Sequence, residues 1–154
     1  MPSFYLNCTH SNTFNKGSPI QKDRLSSFAY TILYVDDLVK SLNFYEKVFD
    51  CKRKLLTPDN SYGEVAKGET TLSFATHTLA QSNFSEGFVE SKITQQPFGI
   101  EIGFTTQEVA GTLKKAVDAG AVIYAEPKTK PWGQVVAYVR DINGFLVEIC
   151  TPMN

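Results

Sequence analysis

Two glutamates sit inside short alternating apolar runs, Glu101 in FGIEIGFTT (residues 98–106) and Glu148 in FLVEICT (residues 145–151). On an ordinary half-buried strand such a carboxylate faces water and does no chemistry. On a concave, partly apolar face it is desolvated, and two on one face repel each other, so at least one pKa rises. A pair of this kind has three resting states. It shares a proton, it accepts hydrogen bonds from neighbouring hydroxyls, or it meets a cationic ligand. Two carboxylates can also hold a hard ion, magnesium or manganese, with several waters. The other reactive side chains offer less. His10 reads as a solvated loop histidine. Cys8, Cys51 and Cys150 are an odd number without zinc spacing and read as reduced thiols. Cys150 has no histidine nearby to make it a nucleophile. The sequence contains no phosphate-cradling glycine loop, no nucleophile elbow and no histidine pair at helical spacing.

These residues are positioned by a repeated element. In YTILYVDDLVKSLNFYEKVFD, from Tyr30 to Asp50, the hydrophobic period switches from two to helical without a break. Thr31, Leu33 and Val35 alternate with Tyr30, Ile32 and Tyr34, as a strand with two different faces requires. Leu38, Leu42, Tyr45 and Phe49 then recur at helical spacing, with Asp36 or Asp37 placed to cap the first turn. The pattern returns 71 positions later, where Glu101 matches Tyr30. There Ile102, Phe104 and Thr106 alternate, Val109, Leu113, Ala116 and Val117 form the helical stripe, and Gly120 closes it. Each helix is followed by three short runs broken by turn residues such as Pro58-Asp59-Asn60, Gly68 and Asp141-Ile142-Asn143-Gly144. The chain therefore reads as an α+β protein of two tandem βαβββ units, residues 28–77 and 98–152. An N-terminal extension (1–27) precedes them and a linker (78–97) joins them. The alternation points Leu33 and Val35 toward the helix and Tyr30 and Ile32 to the opposite, concave face, and the repeat gives Glu101 and Gly103 the same orientation.

Tyr30–Asp50 and the ending PWGQVVAYVRDINGFLVEICTP (residues 131–152) resemble the vicinal-oxygen-chelate superfamily, also called the glyoxalase/bleomycin-resistance/dioxygenase superfamily, over roughly residues 28 to 152. The resemblance implies mixed sheets curled around a concave pocket, and a homodimer. It also implies four diagnostic positions, here Tyr30, Ser73, Glu101 and Glu148, which metal-dependent members typically fill with histidine and glutamate. Val136 and Tyr138 would face the cavity from the neighbouring strand. The histidines are absent. A phenol ligates only after losing a proton with a reference pKa near 10, a serine is weaker still, and no imidazole is left to select nickel, zinc or iron. His77 lies four residues beyond Ser73, roughly 13 Å along a strand at about 3.3 Å per residue, and reads as a rim or surface histidine.

The expected function is metal-independent binding of a small aromatic or cationic molecule, like that of the drug-sequestering members. Glu101 and Glu148 would supply charge, and Tyr30, Tyr138 and Trp132 flat area and cation–π contacts. Ile32, Ser73, Gly103 and Leu146 would complete the ligand site, with no cofactor. Trp132, in KPWGQ, is either a ligand platform or a plug over the sheet end. Two alternatives stand beside this reading: a glyoxalase- or dioxygenase-type enzyme using a divalent metal on Glu101 and Glu148, and a non-catalytic dimeric module whose pocket is filled by its own side chains.

Composition narrows the partners. A chain of 154 residues with 42% hydrophobic content supports one compact core, or two small units sharing a sheet. With 15 basic and 16 acidic residues and a formal charge of −1, it has no electrostatic footprint for nucleic acid or an anionic membrane. A small molecule or a protein is the expected partner. No apolar stretch approaches the roughly 20 residues of a membrane helix, and no export signal opens the sequence, so a soluble cytoplasmic protein is expected. Residues 1–27 read as a leader whose Phe4, Tyr5, Leu6, Phe14 and Ile20 can anchor it on a partner chain. In the linker, Phe84 and Phe88 either line a pocket mouth or pin the segment to the sheet. Lys52, Arg53 and Lys54 read as a solvated basic face.

Overall fold

Alternation governs the first strand as expected: β1 (Thr31–Val35) buries Leu33 and Val35 and turns Ile32 and Tyr34 the other way. This is a computed structural model, and it describes residues 26–153. The readings of Cys8, His10 and the anchors Phe4, Tyr5, Leu6, Phe14 and Ile20 lie outside the described residues. After β1, Asp37 caps α1 (Leu38–Phe49) by accepting the Lys40 N–H at 3.0 Å. α1 buries the stripe of Leu38, Leu42, Tyr45 and Phe49, widened by Ser41, Phe44 and Val48. It ends at Asp50, whose φ of 52° is in the left-handed region. β2 (Lys52–Leu56), β3 (Tyr62–Lys67) and β4 (Thr70–Thr76) follow, and parallel pairing of β1 with β4 gives a four-stranded mixed sheet of order β1-β4-β3-β2.

A one-turn helix, α2 (His77–Gln81), comes next, capped by Thr76. The second unit repeats the first. β5 (Glu101–Thr105), α3 (Val109–Asp118), β6 (Val122–Thr129), β7 (Val135–Arg140) and β8 (Leu146–Cys150) form a second mixed sheet of order β5-β8-β7-β6. The protein is thus α+β, two repeated βαβββ units whose sheets do not close.

Two expectations change. α2 occupies the start of the predicted linker, since five residues are too few to show a helical period in sequence. In α3 the buried stripe is Val109, Leu113 and Ala116, while Val117 is 41% exposed. At about 100° per residue, position 117 lies at the edge of that stripe rather than in it.

The units meet through their helices. Phe49 of α1 stacks on Phe104 of β5 with ring centroids 3.9 Å apart and planes 7° from parallel. Tyr45 and Ser41 of α1 hydrogen-bond Asp141 and Asn143 in the turn after β7. Among the described residues no helix is long and apolar enough to cross a membrane.

Candidate functional site

The second sheet has two unlike faces. Ala137, Val139, Val147 and Ile149 are fully buried beneath α3. The residues of opposite parity, Val136, Tyr138, Leu146, Glu148 and Cys150, therefore share the other face, turned away from α3. Register puts Glu148 between Gly103 of β5 and Tyr138 of β7, and Leu146 beside Glu101. The Tyr138 hydroxyl donates to Glu148 Oε2 at 2.7 Å, which fixes that carboxylate and raises the phenol pKa well above its usual value. Burial, and then the charge of Glu148, raise the Glu101 pKa. Burial and Glu148 together push the Cys150 thiol up to about 11, so it stays neutral. Among the described residues no Lys, Arg or His lies within ion-pair distance of Glu101 or Glu148. A Cβ added at Gly103 would meet nothing within 4 Å, so the space in front of the pair is open.

The first sheet carries a different set. Ile32, Ser73 and Glu64 form one row across β1, β4 and β3. Glu64 accepts the Tyr62 hydroxyl at 2.8 Å and lies 3.4 Å from Lys54 Nζ, so its charge is already answered. Burial pushes the Tyr62 phenol up to about 12. Ser73 is fully buried, and its hydroxyl has no hydrogen-bond partner among the described residues. The sequence reading missed Glu64, Tyr62 and Lys54, although the alternation of YGEVAK was enough to place Tyr62 and Glu64 on the face of Ser73.

The expected site residues thus fall into two groups. Glu101, Gly103, Tyr138, Leu146 and Glu148 come together on the second sheet. Ile32 and Ser73 lie on the first, with half-exposed Tyr30 just before β1. Trp132, in the turn between β6 and β7, is 65% exposed and donates its indole N–H to Gln134 at 3.0 Å. It is not a plug over the sheet end. Phe88 and Phe84 pack on Tyr34 with centroids 4.8 and 6.3 Å away, which pins the linker to the first sheet. His77 does not continue the strand but opens α2. Its ring lies 5.7 Å from Phe88 and its Nδ1 3.6 Å from Glu90, so it is packed under the linker rather than standing at a rim.

Among the described residues no three His, Cys, Asp or Glu side chains converge to hold a metal. The second face offers two carboxylates, a phenol that is already engaged and the buried Cys150 thiol, which stays neutral. This donor set does not fit a nickel, zinc or iron centre, which calls for imidazole or thiolate.

Two βαβββ repeats with open mixed sheets define a protein of the glyoxalase/bleomycin-resistance/dioxygenase superfamily. The Glyoxalase-like domain family matches residues 28–154, and the chain belongs to that family. No curated protein matches the chain significantly. Among solved structures, it is similar to the hypothetical protein SA1046 of S. aureus, with TM-score 0.69, 23% identity, and coverage of 83% of this chain and 95% of that one. A glyoxalase-related enzyme from Fulvimarina pelagi has TM-score 0.69 and 21% identity over 83% of this chain and 89% of its own. The fosfomycin resistance protein FosX of Mesorhizobium loti has TM-score 0.58 and 12% identity over 83% and 93% of the two chains. At these identities the likeness is one of fold.

Proposed function

We propose that the protein binds a small aromatic or cationic molecule on the concave face of its second unit, without a metal and without turning it over. One observation carries this reading: Glu101 and Glu148 share a face with no basic partner among the described residues and with open space at Gly103. A cation placed there offsets the repulsion that raises the Glu101 pKa. In this reading Glu148, held by Tyr138, is the oriented carboxylate, the Tyr138 ring and Leu146 give apolar area, and Trp132 is free to fold over a ligand. Tyr30, Ile32 and Ser73 belong to the corresponding face of the first unit.

The reading includes a homodimer. Of the four edge strands, β2 carries Lys52, Arg53, Lys54 and a register irregularity, and β6 carries Pro127 and two such irregularities. These features discourage edge-to-edge pairing. β1 and β5 contain no Lys, Arg or Pro and are flanked by exposed Phe28, Tyr30 and Ile100, so they are the edges open to a second copy.

The test is calorimetric titration with benzyltrimethylammonium and with its neutral isostere neopentylbenzene, on wild type and Glu148→Gln. Binding of the cation that weakens about tenfold in the variant, with little binding of the isostere, supports the reading. Equal affinity for wild type and variant removes Glu148 from the site. Stabilisation by manganese or magnesium but not by the cation supports a metal-dependent enzyme instead.

A further inference from the structure

A cleft of about 750 Å³ runs between the two units; its inner walls are helix-facing side chains, and Thr71, Glu101, Gly103 and Leu146 of the other faces line its mouth. Its volume is that of a drug-sized ligand site. The first unit supplies Leu33, Val65 and Leu72, the second Ile102 and Phe104, and the Phe49–Phe104 stack spans the junction. Leu33, Val48 and Val65 form a floor already covered by the core, at 5%, 2% and 1% exposed, and the apolar surface offered to a ligand is that of half-buried Leu72, Ile102, Phe104 and Phe145. The charged lining residues, Asp50, Lys67, Glu101, Glu108 and Lys115, are all exposed, and they carry both signs. Charge is therefore confined to the rim and does not select a cation or an anion. The inner thiol, Cys51, is buried and pushed up to about 11, so the interior is uncharged at neutral pH.

We propose that this inter-unit cleft is a second ligand site, taking a neutral aromatic molecule of one to three rings against the Phe49–Phe104 stack. Offset or edge-on contact with those rings gives a preference for aromatic over acyl ligands. The cleft adjoins the acidic face at Glu101, Gly103 and Leu146, but its inner walls, Val65, Leu72, Ile102 and Phe104, lie on the opposite faces of their strands.

The test uses N-phenyl-1-naphthylamine, a neutral aromatic fluorophore, on the full chain. The expected result is a fluorescence rise saturating at one probe per chain. At saturation, alkylation of Cys51 by N-ethylmaleimide, followed by mass spectrometry, should slow about tenfold, the protection a largely occupied site gives. Benzyltrimethylammonium should not protect Cys51, which lines the cleft but not the acidic face, so failure here and failure of the concave-face reading are separately visible. Leu72→Trp, which fills the cleft, should weaken the probe at least about tenfold. If that variant does not fold, the Cys51 protection on the wild-type chain decides alone. Probe binding that leaves Cys51 alkylation unchanged places the ligand elsewhere and overturns the proposal. So does absence of binding. Absence that turns into binding when residues 2–25 are removed assigns the cleft to the chain's own N-terminal segment, and absence relieved by diluting a dimer assigns it to a second copy.

Discussion

The Tyr45 hydroxyl of α1 donates to Asp141 Oδ2 at the end of β7 over 2.9 Å, and both residues are fully buried. Asp141 also accepts the backbone N–H groups of Asn143 at 2.9 Å and Phe145 at 2.8 Å. One carboxylate thus shapes the last turn of the second unit and holds the helix of the first. Burial pushes its pKa up against the pull of these donors. Tyr45→Phe removes one donor and leaves the buried carboxylate underserved. The expected loss is about 1.5–3 kcal/mol, the range for a hydrogen bond to a charged group. Urea denaturation checks it. An unchanged midpoint would mean that Asp141 does not depend on the phenol.

Glu101 gives a pH signature. Its pKa is raised by burial and by Glu148, so between its unfolded value, about 4.3, and its folded value the native state holds more protons than the unfolded one. Its contribution to stability is full below that window and is lost as pH rises through the folded pKa. Glu101→Gln is therefore expected to raise the melting temperature at pH 7 and to leave it unchanged near pH 4. A thermal melt series across that range checks the sign, and a variant less stable at pH 7 would contradict it.

Asp37 should behave in the opposite way. Its carboxylate caps α1 and its pKa is lowered, chiefly by the bond from the Lys40 N–H. The contribution is present above the unfolded value near 3.9 and fades as pH falls. Asp37→Ala is expected to cost about 0.5–2 kcal/mol at pH 7, typical of a lost N-cap, and less at pH 3. Denaturant melts at the two pH values test this, and an equal cost at both would show that the charged cap is not what matters.

The repeat, its βαβββ order and the faces of β1 and β5 were legible because they follow from period alone, whereas the mixed sheets were implied by the family resemblance. Leu33 and Val35 point inward for the same reason that Ile102 and Phe104 do. Chemistry that depends on register across strands was not. Glu64 meets Ser73 only through the pairing of β3 with β4, and Lys54 reaches Glu64 across a register shift in β2. Sequence alternation names the face of a residue but not its neighbour on the next strand. Asp141 looked like an ordinary turn residue, since its partner Tyr45 lies 96 residues away. His77 was misplaced because a strand period was carried past Thr76, where the cap of α2 had already ended it.

Arg140 was missed for a similar reason, and its role gives the last prediction. The guanidinium is 5% exposed, and among the described residues no carboxylate lies within ion-pair distance of it. It donates instead to the carbonyls of Gly144 at 2.6 Å, Gln95 at 2.8 Å and Lys92 at 3.0 Å. Three donors in a rigid fork tie the linker to the end of β7, a task the single ammonium of lysine cannot span. Gly144 closes the same contact, since a Cβ there would come within 2.5 Å of the Lys92 carbonyl carbon and 2.7 Å of Ile93 N, at a φ of +90°. The Lys92–Ile93 peptide bond is therefore clamped from both sides, and it is a trypsin site. Arg140→Met frees two linker carbonyls and Gly144→Ala pushes the strand of chain away, so each should open this segment locally. Trypsin cleavage after Lys92 is expected to accelerate at least about tenfold in either variant, the effect of losing about 1.4 kcal/mol of local protection. Cleavage after Lys47, inside α1, is the internal control. If both sites accelerate equally, the variants have destabilised the whole fold and Arg140 is not a specific latch. If neither does, the linker is held chiefly by Phe84 and Phe88 on Tyr34.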